Sequence, residues 1–286
     1  MGDGGPAGDA GFLDVYGVAV DKQGNFYFSD SYNHRVRKVT TEGTISTVAG
    51  GYNSGDTDNV PATSVYLSNL WGVAVDSSGN VFLASAGRIR KVSFSGIITT
   101  VAGDGGTANS VDGPAATLAA LSPGGIALFG ETVYVADEPT GRVRKVTPNG
   151  AITTVAGTGV VGYSGDGGPA IAAQLSSKLG LAADANGTLY IADTGNNRIR
   201  KVTPDGKIHT VAGGGPCCGS GDGGPASNAM LDVPLALALQ PDGGLLIAES
   251  KAVRQVTQDG IISTIAGPPS PGEFPPLPAM VEIMPS

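Results

Sequence analysis

The chain has 286 residues, 46 of them glycine and 19 proline, with a formal net charge of -8, a composition that fits one turn-rich domain with a large shared core. The acidic balance argues against nucleic acid as a partner, because neutralising phosphates needs a basic surface. No apolar run is long enough to insert into a membrane as a span.

Taken in order, the chain is one unit written five times. Residues 1–50, 51–103, 104–157, 158–213 and 214–267 each close on an Ala-Gly pair, at Gly50, Gly103, Gly157, Gly213 and Gly267, with spacings of 53 to 56 residues. Each unit opens with a lead-in loop: Gly2 to Ala7 in the first copy, Ser164 to Ala170 in the fourth, Ser220 to Ala226 in the fifth. The second and third are looser, around Asp56 and Pro61 and around Asp112 and Pro114. Proline ahead of a short apolar run reads as a single helical turn with Pro at its first position. The leucine that follows each proline, Leu13, Leu67, Leu121, Leu175 and Leu231, is expected to point inward. The loop aspartates Asp3, Asp56, Asp112, Asp166 and Asp222 read as turn chemistry rather than a cation-holding ring. A calcium loop of the EF-hand kind would need alternating oxygen ligands and a closing Glu.

Next comes an inner strand whose first residue is always small: Gly17, Gly72, Gly125, Gly180 and Ala236. A glycine turn leads to a second strand ending in Asp30, Ser85, Asp137, Asp193 or Glu249. A variable loop leads to a third strand, Arg35 to Val39 in the first copy and Arg198 to Val202 in the fourth, reading Arg-x-Arg-Lys-Val. A second glycine turn, at Gly43, Gly96, Gly150, Gly206 or Gly260, leads to the outer strand. Short segments rich in Val, Ile, Tyr and Thr between glycine turns are strands. Four antiparallel strands repeated radially make an all-β fold, a β-propeller of four-stranded blades. With five repeats the propeller is expected either as a closed five-bladed ring or as an arc of a six-bladed one. Residues 268–286 carry seven prolines and read as a stiff tail or linker.

The run Tyr190-Ile191-Ala192-Asp193-Thr194-Gly195-Asn196-Asn197-Arg198-Ile199 resembles the signature of NHL repeats, and the likeness covers residues 1–267. The resemblance implies a propeller, commonly six-bladed, used mostly for binding, in a family that includes RNA binders, receptor ectodomains and a few enzymes. The chain departs from that pattern in having five copies and a repeat longer than the usual length of about forty residues.

Thirteen of the 17 basic residues sit in the repeated Arg-x-Arg-Lys register. Arg's planar fork suits carboxylates, so the arginines read as structural partners of the carboxylates that end the second strands. Asp30, Arg35, Asp137, Arg142, Asp193 and Arg198 are the expected framework residues, with Arg198 or Arg200 as the partner of Asp193. Ser85 leaves the second copy without its pair.

Catalytic constellations are missing from the sequence. Neither His34 nor His209 recurs as His in other copies, so no zinc cluster forms. This departs from the amidating-lyase branch that the resemblance would suggest. Propeller lactonases of similar build hold calcium with axial carboxylates and asparagines, but the glutamates here are out of register. No nucleophile elbow is present. The reading is a non-catalytic scaffold with no cofactor, recognising a protein, peptide or glycan. The alternative is a calcium-dependent hydrolase or lyase with an axial site.

Strand alternation puts the lead-in loops and the second-to-third loops on one face, and tight glycine turns on the other. Loops on a rigid frame carry recognition, so Tyr32, Asn33, His34, Tyr52, Tyr163, Asn196 and Asn197 are the expected binding residues, the tyrosines as anchors. Cys217 and Cys218 are adjacent, poorly placed for an ordinary disulfide, and read as loop filler. The chain opens inside a repeat, as a fragment boundary would, and gives no compartment; an extracellular or cell-surface setting is favoured.

Overall fold

A computed structural model describes residues 2–51, 55–106, 111–138, 140–215 and 220–268. The expected Tyr52, the Cys217-Cys218 pair and the tail 269–286 lie outside the described residues. Five four-stranded antiparallel blades form a five-bladed β-propeller. Blade 1 is built from Val15–Val20, Phe26–Asp30, Arg35–Val39 and Ile45–Ala49. Blade 2 has Val73–Val75, Val81–Ser85, Arg88–Val92 and Ile97–Ala102; blade 3 has Pro123–Phe129, Thr132–Asp137, Arg142–Val146 and Ile152–Ala156. Blade 4 has Leu179–Ala183, Leu189–Asp193, Arg198–Val202 and Ile208–Ala212; blade 5 has Ala236–Leu239, Leu245–Ala248, Val253–Val256 and Ile262–Ala266.

Strand alternation gives every blade two apolar faces. The leading face of blade 2 (Val73, Val81, Leu83, Val92, Ile98) packs on the trailing face of blade 1 (Tyr27, Val36, Ala49), and the same interlock joins blades 2 to 3, 3 to 4 and 4 to 5. Among the described residues no such cluster joins blade 5 to blade 1. Blade 1 keeps Val18 and Val20 more than 60% exposed, and the trailing Ala236, Ala238 and Ala266 of blade 5 are exposed.

The small residue opening each inner strand is there for close approach. A Cβ on Gly180 would lie 2.4 Å from the Leu235 carbonyl oxygen, and one on Gly72 would lie 2.6 Å from that of Gly124. Blade 5, with no following blade against it, carries Ala236 there. The closing glycine of each unit has a different job. Gly213 has φ of +83°, and a Cβ on it would sit 2.2 Å from the Asn197 carbonyl oxygen, so the chain can leave the outer strand only through glycine.

The extra length of the repeat is a strap. Each lead-in loop after the first bonds to the previous blade's closing glycine, as in Gly157 N–H to Ala170 O at 3.0 Å, and all five pair along their own blade's outer edge. The second contact is Pro6 opposite Thr44 in blade 1, and Pro169 opposite Lys207 and Pro225 opposite Ile261 in blades 4 and 5. In blade 2 it is long enough to add a two-residue strand, Val60–Pro61, to the sheet. The strap thereby covers an edge whose unpaired backbone groups would otherwise invite association. Its helical turn is 3-10, spanning Ala7–Asp9, Ala62–Ser64, Ala116–Leu118, Ala170–Ala172 and Ala226–Asn228. Proline is its cap rather than its first residue in four of the five copies. Leu67, Leu121, Leu175 and Leu231 are buried as expected, but Leu13 is 55% exposed. Phe12, itself 46% exposed, lays its ring 5.1 Å from that of Phe28 on the same bare side.

The strap is anchored by the second arginine of each Arg-x-Arg-Lys. Arg37, Arg90, Arg144, Arg200 and Arg254 are all at most 1% exposed. Arg200 reaches Asp193 at 3.5 Å and the strap's Asp166 at 2.5 Å. Arg144 joins Asp137 at 3.3 Å to Asp112 at 3.0 Å, and Arg37 joins Asp30 at 3.5 Å to Asp3 at 2.5 Å. Arg254 joins Asp222 and Glu249. The expected framework residues Arg35, Arg142 and Arg198 stand directly across the sheet from Asp30, Asp137 and Asp193. Those carboxylates form ion pairs with the arginine two residues on, Arg37, Arg144 and Arg200. Two residues apart on one strand, the two arginines share a face, and the second reaches the carboxylate diagonally; beside it the outer strand carries one extra residue, as where Ile199 pairs with Ala212 but Arg200 with Thr210. In blade 2 Ser85 makes no ion pair and bonds the Ser68 carbonyl at 2.6 Å instead. Arg90 still meets two carboxylates, because Asp58 joins Asp56 in the strap.

Candidate binding site on the loop face

With the strap aspartates tied to buried arginines, the loop face offers fewer free groups than its length suggests. Asp112, Asp166 and Asp222 are also held by Thr154, Thr210 and Thr264. Burial alone would raise these carboxyls, but the threonine donors and arginine charges outweigh it and hold all three below the ordinary carboxylate value.

The expected binding residues divide into two groups. In blade 4 they serve the frame. Asn196 donates to both Asp193 oxygens at 2.9 Å and to the Gly162 carbonyl at 2.8 Å. Asn197 adopts a left-handed φ of 50° and accepts the Val233 N–H at 3.0 Å. Tyr163 bonds Asp166 at 3.1 Å, and the Arg198 guanidinium lies 4.0 Å over its ring. In blade 1, Asn33 likewise braces Asp30 at 2.8 Å.

Tyr32 and His34 are placed differently. They line a groove of about 570 Å3 between blades 1 and 2 together with Asp14, Tyr16, Ser31, Asn69, Leu70 and Trp71. Tyr16 and Trp71 are the residues immediately before the small residue of the inner strand, so they stand at the loop-face end of that strand. Their rings are 4.6 Å apart. His34 Nδ1 faces the Leu67 carbonyl at 3.0 Å, and its Nε2 faces the Tyr66 hydroxyl at 3.1 Å, which fixes the wall. Ser31 donates to Leu70 O at 2.6 Å and ties the two blades together. Tyr32, Tyr16 and Trp71 are 67%, 58% and 44% exposed, and the Asp14 carboxylate has no hydrogen bond or ion pair among the described residues. Sequence reasoning missed Asp14, Tyr16, Asn69 and Trp71. The available signal was the position ahead of the small residue, aromatic in blades 1 and 2 but Gly124, Leu179 and Leu235 in the others.

A second hollow of about 430 Å3 lies on the turn face between blades 3 and 4, lined by Tyr134, Ile171, Leu189 and Pro204 among others. Two of its polar groups are committed, Thr154 to Asp112 and Asp205 to Lys207. The groove is the better candidate because its aromatic faces and its carboxylate are both free.

Near the axis Glu138 fills the space over Gly124. Burial pushes its carboxyl up, against the Leu179 N–H and Lys178, which favour the charged form. Among the described residues no group of three or more His, Cys, Asp or Glu side chains could hold a metal ion.

The family model described as the Teneurin NHL domain matches residues 132–203. Teneurin-4 of Mus musculus is 31% identical over 283 residues, which cover 84% of this chain and 10% of Teneurin-4. The chain therefore spans about a tenth of the length of that relative. Among solved structures, a Bacteroides thetaiotaomicron protein of unknown function superposes with a TM-score of 0.67 at 17% identity, covering 94% of this chain and 61% of that one. XC5397, a gluconolactonase from Xanthomonas campestris, does so with a TM-score of 0.58 at 18% identity, covering 91% and 77%. Likeness at this identity speaks for the fold alone. The five-fold signature, the blade architecture and the match to an NHL family model agree, and the chain belongs to the NHL-repeat β-propellers.

Proposed function

We propose that the protein is a non-catalytic binding scaffold that recognises a protein, peptide or glycan through its loop face, at the groove between blades 1 and 2. One observation carries the reading. The strap aspartates and the asparagines of blade 4 serve the frame, whereas Tyr16, Tyr32, Trp71 and Asp14 gather in one groove with their functional groups free. Exposed Tyr and Trp on a rigid frame supply large contact area at low entropic cost. The likeness to teneurins supports a protein or peptide partner and an extracellular or cell-surface setting.

The test is binding to peptide and glycan arrays by the protein, by Tyr32→Ala, and by Lys22→Ala/Glu42→Ala on the turn face. Loss with Tyr32→Ala and retention in the turn-face variant is expected. Loss only through Lys22 and Glu42, with the fold intact, would place recognition on the other face.

A second reading, a calcium-dependent hydrolase or lyase with an axial site, draws on Glu138, a carboxyl raised by burial beside two inner strands, and on the shared fold with a gluconolactonase. Metal analysis of protein purified without chelator separates the two: stoichiometric calcium would favour the second.

A further inference from the structure

We propose that the groove between blades 1 and 2 receives an arginine side chain from an extended peptide segment of the partner. The inference rests on the scaffold reading and names the chemistry of its ligand. The molecule already contains the arrangement it would make. In blade 4 the Arg198 guanidinium lies 4.0 Å and that of Arg200 5.0 Å from the Tyr163 ring, and Tyr163 is hydrogen-bonded to Asp166, the carboxylate that pairs with Arg200. The groove presents the other half of that set. Tyr16 and Trp71 offer tilted aromatic faces 4.6 Å apart, Tyr32 stands at the rim, and Asp14 supplies a carboxylate. Among the described residues, no lysine or arginine lines the groove.

Charge decides between a cation and a neutral ligand. Any ligand seated on Tyr16 and Trp71 strips water from the neighbourhood of Asp14. A neutral ligand would leave that charge uncompensated, which is costly, whereas a cation would compensate it. A guanidinium also stacks on aromatic rings while its edge meets a carboxylate, which an ammonium does less well. The surroundings agree: the chain carries a net charge of -8, and five of its 17 basic residues are the buried arginines of the blades. A peptide bearing arginine would be drawn to this face and then held locally.

Trp71 is the only tryptophan, so its fluorescence reports occupancy directly. The titrants are N-acetyl-Gly-Arg-Gly-Arg-Gly-amide, the same peptide with citrulline in place of arginine, and the neutral oligosaccharide chitotetraose. Asp14 sits at a φ of +56°, which Asn tolerates, so Asp14→Asn removes the charge without forcing the backbone. The expected result is saturable quenching by the arginine peptide, about tenfold weaker for citrulline. Asp14→Asn should lower arginine affinity to the citrulline level, and Glu42→Gln on the turn face should change neither. Equal affinity for arginine and citrulline peptides, or no effect of Asp14→Asn, would overturn the proposal, as would an equal loss in Glu42→Gln. Quenching by chitotetraose without a response to the arginine peptide would overturn the arginine assignment and leave the scaffold reading standing. No response to any titrant, with near-ultraviolet circular dichroism intact, would remove the arginine site, and calcium at one ion per chain in that same protein would remove the scaffold reading as well.

Discussion

Arg200 reaches Asp193 at 3.5 Å with both side chains fully buried, although the residue directly across the sheet from Asp193 is Arg198. The pair closes three connections at once. Asp193 also accepts the Ser176 N–H at 2.7 Å, at the approach to the inner strand, and Arg200 also holds the strap through Asp166. Removing one partner of a buried pair leaves the other charge uncompensated. Asp193→Ala is therefore expected to cost about 3–5 kcal/mol. Ser85→Ala, which removes one neutral hydrogen bond at the equivalent place, should cost roughly 0.5–1.5 kcal/mol. Urea denaturation of both variants measures the difference, and equal losses would show that the carboxylate does not brace the blade.

The same pair shows where sequence reading stops. That acidic and basic residues recur in register is visible in the repeat. Which arginine meets the carboxylate is set by diagonal reach across the sheet, since Arg198 stands opposite Asp193 and Arg200 lies two residues on along the same face, and the two carry no distinguishing residue type. The blade count and the closing glycines were legible because each copy solves one steric problem in the same way. The groove was only half legible. Tyr32 and His34 stand in an obvious loop, whereas Tyr16 and Trp71 belong to positions that are buried or bare according to the neighbouring blade, as the buried Leu179 and exposed Leu235 show. The long lead-in loops read as recognition loops because length suggests freedom. Their aspartates and prolines instead bind them to the outer edges.

The inner-strand glycines give a paired steric test. Gly180→Ala puts a methyl group 2.4 Å from the Leu235 carbonyl oxygen, a backbone atom that cannot swing aside. Overpacking of this kind costs about 1–3 kcal/mol. Ala236→Gly, at the open end, meets no such neighbour and should cost roughly 0.5–1 kcal/mol, as expected for glycine in a strand. Thermal unfolding of the two variants checks it. A larger loss from Ala236→Gly would mean that blade 5 is covered in solution.

The two kinds of carboxyl predict opposite pH behaviour. Burial raises Glu138 above its ordinary 4.5, so the folded state binds the proton more tightly than the unfolded chain. The sign is then that stability falls as pH rises from that value through the folded pKa. Glu138→Gln should raise the melting temperature at pH 7 relative to wild type and remove the advantage of wild type at acid pH. Asp166 is the converse. Despite its burial, Thr210 and Arg200 hold it below 3.8, so its contribution is present above that value and lost as pH falls through the folded pKa. Asp166→Asn should destabilise the protein at pH 7 and narrow its gap to wild type under acid. Melting curves from pH 3 to pH 8 distinguish the two signs, and parallel curves for all three proteins would refute the assignment.

The last expectation concerns the bare face of blade 1. Val18 and Val73 hold the same place in their inner strands, one residue after the small residue, yet Val18 is 62% exposed and Val73 is 6% exposed. Val73 packs into the cluster between blades 1 and 2, and Val18 has no blade in front of it. Val73→Ala should cost roughly 1–3 kcal/mol through lost contact and the cavity it leaves. Val18→Ala, changing a side chain already in water, should fall within about 0.5 kcal/mol of wild type. The comparison should be made across protein concentrations, because Val18, Val20 and Phe26 together form an apolar surface of the kind that drives association. Equal losses at low concentration would mean that this face is covered within the monomer. A Val18→Ala loss that grows with protein concentration would mean that copies of the chain cover it.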